Sequence, residues 1–462
     1  MFNSYYYKYC NYIDYLYYRH GSNSGYYMEN TNMTIVAAVL VVGLLVGAGV
    51  GYYMAPAGDG GDGETTTVTV EKNPLDGKTI QIGNIVASTA GLETAVPQYE
   101  DIIAGDINEY LAKLNYDTEL EFLIDTADGQ AAIHLEKVQS FKSMDVSVFI
   151  GGGWSSQAQA ALSYVNDNDM LMISSSSTSP LLAIENDRLF RTCPTDLVQA
   201  PALAEMWSSW GAEAILIVQR GDSWADGIYN VLIPELEARG IAVIERVRYA
   251  AEVTEFSSYL ATMDNLLGDA IEEYGAERVG VQTMYFDEGV VLVSQTGDYP
   301  NTRAVIWMGT EDSGRSQRMR DDGGGMQIAL RGFSSLMTPA KSWKWLALEE
   351  AYFAAVQQTA SFYTATGYDA GWSAALSVVE AGSVDANDVA PLWPTVPRNF
   401  YGASGWVDLD ENGDRKPGIF DIWGFTDDGG FTNWGQYNGI EIRVSWDDAK
   451  LSAAGIVRPG PN

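Results

Sequence analysis

VFIGGGWSSQAQAAL, residues Val148–Leu162, runs from an apolar stretch through three glycines to two hydroxyls and then a helix-period segment. A short apolar run bounded by a turn signal reads as a strand buried on both faces. Gly151, Gly152 and Gly153 let the chain turn sharply and let another molecule approach the backbone. Ser155 and Ser156 suit a helix start, where side-chain oxygens cap and free N–H groups favour an anion. Strand, bare turn and helix N-terminus, in that order, form the ligand-facing unit of an open α/β sheet.

The same order repeats outward in both directions. TIQIGNIVAS (Thr79–Ser88) and ELEFLIDTA (Glu119–Ala127) read as strands, with Ile103, Ile107, Tyr110, Leu111 and Leu114 at helical spacing between them. QAAIHLEKVQSFKS (Gln130–Ser143) reads as a helix, with His134 a structural residue in it. MLMISSSSTSPLL (Met170–Leu182) is a strand followed by a hydroxyl-rich turn, with Pro180 at a first helical position.

A second series opens after Pro194 with a helix to Trp210. The strands AILIVQR (Ala214–Arg220), IAVIERVRY (Ile241–Tyr249), ERVGVQTMYF (Glu277–Phe286) and AVIWMGT (Ala304–Thr310) follow, with helical connections. A long helical region from Trp343 to Val379 comes next. Short strands around GWVDLDENGD and GIFDIWGF then read as a β-hairpin. Two alternating series predict an α/β fold of two lobes with parallel sheets, rather than one large sheet.

At 462 residues the chain exceeds one ordinary core, which agrees with two lobes. Sixty-one acidic against 27 basic residues give a formal charge of -34, which disfavours nucleic-acid binding. Two cysteines and two histidines leave no Cys/His metal cluster and little for an enzyme that relies on a histidine base. No Walker loop, nucleophile elbow or GxGxxG after a first strand occurs, so no cofactor and no enzymatic activity are expected.

Residues 33–54, MTIVAAVLVVGLLVGAGVGYYM, are uncharged and long enough for a transmembrane helix, read as an uncleaved signal-anchor or a signal peptide. Residues 55–77 read as a flexible tether. Residues 1–32 are irregular and Tyr-rich, and Met28 or Met33 offers a more conventional start. Cys10 and Cys193 fall on opposite sides of the apolar run and cannot pair in one anchored chain. The expected organisation continues as lobe 1 at 78–193 and 336–400, and lobe 2 at 194–335 and 401–455.

Polar residues gather where strands end. Ser155 and Ser156 after one strand, with Ser177 and Thr178 after the next, suit a shared carboxylate site, although capping alone accounts for either turn. The second series offers Trp224 in GDSWADG, Tyr285 and Asp287 in MYFDEG, and Glu311 and Asp312 in TEDSG. An acid there can pair with an ammonium, and aromatics can cover a cation or an apolar side chain. Plain solvation is the ordinary role of such acids in so acidic a chain. Asp408, Asp410, Asn412 and Asp414 imitate the start of a calcium loop. Ile419 stands where the loop needs Glu, so a hairpin turn stabilised by Asn412-Gly413 is the favoured reading.

VFIGGGWSSQAQAAL, MLMISSSSTSPLL, LFRTCPTD (Leu189–Asp196), GYDAGWSAAL (Gly367–Leu376) and GWVDLDENGD…FDIWGF together resemble the leucine/isoleucine/valine-binding proteins, the type I periplasmic-binding fold that serves ABC importers. The resemblance runs from about Lys78 to about Gly430. It implies two Rossmann-like lobes joined by three crossings, near Arg191–Pro194, Gly332–Thr338 and Asn399–Ala403. It further implies Ser156, Ser177 and Thr178 on a ligand α-carboxylate, Glu311 on its ammonium, and Trp224 and Tyr285 as pocket walls, with Thr94 nearby. Trp154 stands where the family has a small residue, and AGLETAVP replaces the family's Gly-Pro in the first loop.

The function this implies is an extracellular receptor that captures an amino acid, branched-chain or similar, between the two lobes and delivers it to an ABC transporter permease. A sensory ectodomain, or a receptor for amides or urea-like solutes, is the alternative.

Overall fold

Alternation along each strand decides which core each residue joins. A computed structural model describes residues 73–460, apart from 312–315, 317, 323–329, 331, 417 and 440. The Tyr-rich segment, the apolar run 33–54 and nearly all of the tether lie outside the described residues, and with them the expected anchor. Among the described residues no helix is long and apolar enough to cross a membrane.

The first sheet contains β1 (Thr79–Val86), β2 (Glu119–Thr126), β3 (Val148–Ile150), β4 (Leu171–Ser174), β5 (Leu189–Pro194) and, late in the chain, β11 (Asp414–Arg415). Its order is β2-β1-β3-β4-β5-β11, and each pairing is parallel. The second sheet contains β6 (Ala214–Arg220), β7 (Ala242–Tyr249), β8 (Val279–Met284), β9 (Ile306–Gly309), β10 (Phe333–Met337), β12 (Ile419–Phe425), β13 (Phe431–Asn438) and β14 (Arg443–Trp446). Its order is β7-β6-β8-β9-β10-β12-β13-β14, parallel as far as β10 and antiparallel beyond.

Helices cover both faces of each sheet. Val148, Ile150, Leu171 and Ile173 pack with α1 (Ala104–Lys113), α7 (Trp343–Val356) and α8 (Phe362–Ala381). The alternate residues Phe149, Met170 and Met172 pack with α2 (Ala131–Ser143) and α3 (Ser155–Asp167) on the other face. In the second sheet Ile215, Ile217 and Met284 meet α4 (Asp196–Trp210) and α5 (Ser223–Ala238), while Leu216, Val218 and Val281 meet α6 (Ser257–Tyr274). Strands buried on both faces need such apolar runs, since neither side reaches water.

Strand order reverses between β1 and β3 in the first sheet, and between β6 and β8 in the second. Connections leave in opposite directions there and open a crevice beyond the strand ends. The glycine turn after β3 and the loops after β6 and β8 stand at these two points.

Three expectations need correction. The region Trp343–Val379 is two helices: Gln357 turns left-handed at φ 60° to end α7, and the Ser361 hydroxyl caps α8 by accepting from the Thr364 N–H. The strands around GWVDLDENGD and GIFDIWGF form no hairpin with each other. β11 joins the first sheet beside β5, and β12 pairs with β10 and β13 in the second.

The third correction concerns the last crossing. Phe400, Ala403, Val407 and Leu409 belong to the core of the first sheet, so the chain stays with that lobe past Asn399–Ala403. It leaves between β11 and β12. The other two passages follow β5 into α4 and β10 into α7.

Candidate ligand-binding cleft

The glycine turn is held from beneath. Gly152 sits at φ 61°, and a Cβ there would come 2.7 Å from Ala158 Cβ. Its N–H donates to His134 Nε2 at 2.7 Å, and its carbonyl accepts from the Ser174 hydroxyl at 2.9 Å. Burial lowers the His134 pKa to about 4, so the ring is neutral and free to accept. Gln157 completes the support: its Oε1 accepts from the Trp154 N–H, and its Nε2 donates to the Ala87 carbonyl.

The hydroxyl-rich turn lies against it. Ser155 Oγ accepts from the Ser179 N–H at 3.1 Å. Ser177 Oγ is buried with no hydrogen-bond partner. The Thr178 hydroxyl lies beside the Asp196 carboxylate, and the Thr178 carbonyl accepts from the Asp196 N–H at 2.8 Å. Ser156 is half-buried in the first turn of α3. Arg191 fixes the turn through its carbonyls: Nη1 donates to Ser177 and Ser179, while Nη2 holds Asp414 at 2.6 Å.

That pairing also removes the calcium reading, because the Asp414 carboxylate belongs to Arg191. Asp410 accepts from the Asn412 and Asp414 N–H groups, and Asp408 pairs with Lys416 and Arg398. Among the described residues no group of acids, cysteines and histidines is placed to hold a metal ion. Gly413, at φ 75°, makes the turn instead.

Across the cleft the structure brings Glu311 and Trp224 together. Glu311 Oε1 accepts from the Tyr363 hydroxyl at 3.2 Å, and the Gln199 and Trp224 side chains lie beside the same carboxylate. Tyr363 comes from α8, in the lobe opposite Glu311. Asp196, the first residue of α4, faces Glu311 closely enough for each charge to resist the other. Burial, and then Glu311, push the Asp196 pKa well above the carboxylate range, and burial raises that of Glu311.

Asp196, Gln199, Glu311 and Tyr363 line a hollow of about 10 Å³, room for one water-sized group, with Thr178, Cys193, Met337, Phe362 and Phe420. Asp196 Oδ2, Gln199 Oε1 and Glu311 Oε2 are buried there without a hydrogen-bond partner. A larger groove of about 580 Å³ lies on the far side of the second crossing and shares Met337 and Phe362 as a wall. It contains none of these unpartnered acceptors.

Trp224 stacks on Phe286 with ring centroids 4.5 Å apart, and Phe286 meets Trp154 of the other lobe at 5.2 Å. Tyr285 is not in this group. It is buried on the α6 face, close to Tyr249. Phe286 therefore takes the place expected of Tyr285. Thr94 is also elsewhere: its hydroxyl donates to the Gly91 carbonyl and lies beside Tyr352. Asp312 lies outside the described residues.

Asp196, Gln199, Tyr363, Phe286 and Arg220 were not among the expected site residues. Phe286 had a signal in the alternation that runs through β8 and two residues past its end, where Gln282, Met284 and Phe286 share one face and Val281, Thr283 and Tyr285 the other.

Two α/β lobes, three crossings and polar loops at both switch points define the type I periplasmic-binding fold. The chain belongs to the family described as the receptor family ligand binding region, whose pattern matches residues 105–428. It is 22% identical over 406 residues to an uncharacterized protein of Methanocaldococcus jannaschii, covering 83% of this chain and 94% of that one.

Among solved structures it is similar to a leucine binding protein from Thermotoga maritima, with a TM-score of 0.65 and 18% identity over 78% of this chain and 99% of that one. It is similar also to a branched-chain amino acid transporter substrate binding protein from Streptococcus pneumoniae in complex with isoleucine (TM-score 0.64, 15% identity, 80% and 100% covered). An ABC transporter solute binding protein from Rhodopseudomonas palustris in complex with benzoate gives a TM-score of 0.63 at 13% identity, covering 80% and 98%. Likeness at these identities concerns the fold.

Proposed function

We propose that this chain is a solute receptor that closes on a small ammonium-bearing molecule, an amino acid or a related polar solute, and hands it to an ABC transporter permease. The observation that carries this reading is the trio Asp196 Oδ2, Gln199 Oε1 and Glu311 Oε2, unpartnered acceptors around one hollow. An ammonium offers three donors and the charge two buried acids lack. An aromatic acid without an amine would set its carboxylate against both acids, a costly arrangement in a dry site.

The α-carboxylate falls to Ser177 Oγ and to the N–H groups that open α3 at Ser155 and Ser156. Thr178 joins them when its hydroxyl leaves Asp196. Trp224 covers the socket, whereas Tyr285 and Thr94 have no part in it. On this reading the two charges of one zwitterion engage opposite lobes, which supplies the differential affinity that closure requires. The body works outside the cell, held to the membrane by the segment 33–54.

Titration calorimetry of the purified full chain with L-amino acids, simple amines, amides and benzoate tests the proposal. Amine-bearing solutes bind, benzoate does not, and Glu311→Gln or Asp196→Asn each weakens binding about tenfold or more. Unchanged affinity in Glu311→Gln overturns it.

A further inference from the structure

We infer that Trp154 sets the upper size of the solute, acting as an aromatic bolt shot from the first lobe across the mouth of the cleft. The inference rests on the ammonium socket proposed above. On the hinge side that socket is closed by Cys193, Met337, Phe362 and Phe420. On this inference the side chain of a solute whose ammonium is seated at Glu311 leaves along Trp224, which stands beside the Glu311 carboxylate.

Three rings follow in series on that path. Trp224 stacks on Phe286 at 4.5 Å with 23° between planes, and Phe286 meets Trp154 at 5.2 Å with 32°. The first two rings belong to the second lobe and cannot step aside cheaply. The Arg220 guanidinium lies 4.0 Å from the Phe286 centroid, and both Asp222 and Glu288 hold it, at 2.6 and 2.9 Å. Glu288 is braced in turn by the Tyr249 hydroxyl at 3.1 Å. Trp224 itself is buried.

Trp154 is the exception. It is half-buried, and it comes from the opposite lobe. On its own side its indole rests over Gly129, where a Cβ would touch the ring at 3.5 Å, so that glycine gives the ring a flat seat. Closure brings the indole against Phe286 and fills the slot that a solute side chain would enter. With Trp154 present the closed cleft takes a short amino acid. With a small residue at 154, the Trp224 and Phe286 faces become the walls of an apolar slot for a branched or flat side chain.

The test compares glycine, alanine, leucine and phenylalanine by calorimetry on the full chain, in wild type, Trp154→Ala and Trp154→Phe. Wild type and Trp154→Phe favour alanine over leucine. In Trp154→Ala the leucine-to-alanine affinity ratio rises at least about tenfold, the scale set by adding methylenes to an apolar pocket. A merely structural role would lower stability, read by thermal unfolding, and leave that ratio where it was. An unchanged ratio in Trp154→Ala, or a wild type that prefers leucine, overturns the inference while leaving the socket intact. If wild type binds no amine at all, the socket itself has failed, and the inference falls with it.

Discussion

His134 lies under the glycine turn and must stay neutral to accept the Gly152 N–H at 2.7 Å. Burial takes its pKa from 6.5 down to about 4. Between those values the unfolded chain binds a proton that the folded chain refuses, so the contribution is complete above about pH 6.5 and is lost as pH falls toward 4. At 1.36 kcal/mol per unit the whole window is worth roughly 3 kcal/mol, of which about 2 kcal/mol is gone by about pH 5.

The buried acids run the other way. Burial raises Asp187 to about 6 and also lifts Asp196, Glu311, Asp369 and Asp414, so each of them favours the folded state as pH falls. A single wild-type curve mixes the two signs. The comparison with His134→Gln separates them, because a carboxamide oxygen can accept from Gly152 and does not titrate. Urea unfolding of both proteins between about pH 8 and pH 5 shows wild type losing about 2 kcal/mol relative to the variant. A difference that stays flat across that range refutes the role given to His134.

Asp414→Ala strands the buried Arg191 guanidinium and costs about 3–5 kcal/mol of stability, read by thermal or urea unfolding, whereas loss of a solvated turn acid would cost almost nothing. An ammonium entering the socket favours the ionised forms of Asp196 and Glu311, so solute binding releases protons just above the ordinary carboxylate range. Calorimetry in buffers of different ionisation heat checks this, and equal heats in all of them contradict it.

The strand–turn–helix units were legible because each carries its own evidence: an apolar run, a bare turn and a cap lie within a few residues of one another. The turn at Asn412-Gly413 was readable for the same reason, whereas the bond of His134 to the Gly152 N–H, 18 residues away, left no local signal. The third crossing was not, since Tyr401–Arg415 reads as loop and hairpin until Phe400, Ala403, Val407 and Leu409 are seen in the core of the first sheet. Tyr285 was chosen for its chemistry, although the alternation in β8 places it with Val281 on the α6 face.

The socket shows a different limit. Asp196 looks like any acid opening a helix, Gln199 like any polar residue on one, and Tyr363 like any tyrosine. Their meeting with Glu311 depends on a long-range closure that no local pattern encodes.

That closure also explains why the acids belong at the hinge. Asp196 follows the first crossing directly, while Glu311 and Tyr363 stand on opposite lobes and, on the proposed reading, part when the cleft opens. Open, the carboxylates are wet. Closed without solute, three acceptors lose water and gain nothing, at about 1–3 kcal/mol each. The sum is several kcal/mol, comparable with the roughly 5.5 kcal/mol that carries a two-state equilibrium from 1:99 to 99:1. The Tyr363 hydroxyl bonds Glu311 Oε1 and leaves all three of these acceptors unmet. An ammonium satisfies all three acceptors at once, so on the proposed reading the solute drives closure chiefly by removing a penalty that the empty closed form carries, and the Trp154 stack then decides which solutes are short enough to let the lobes meet.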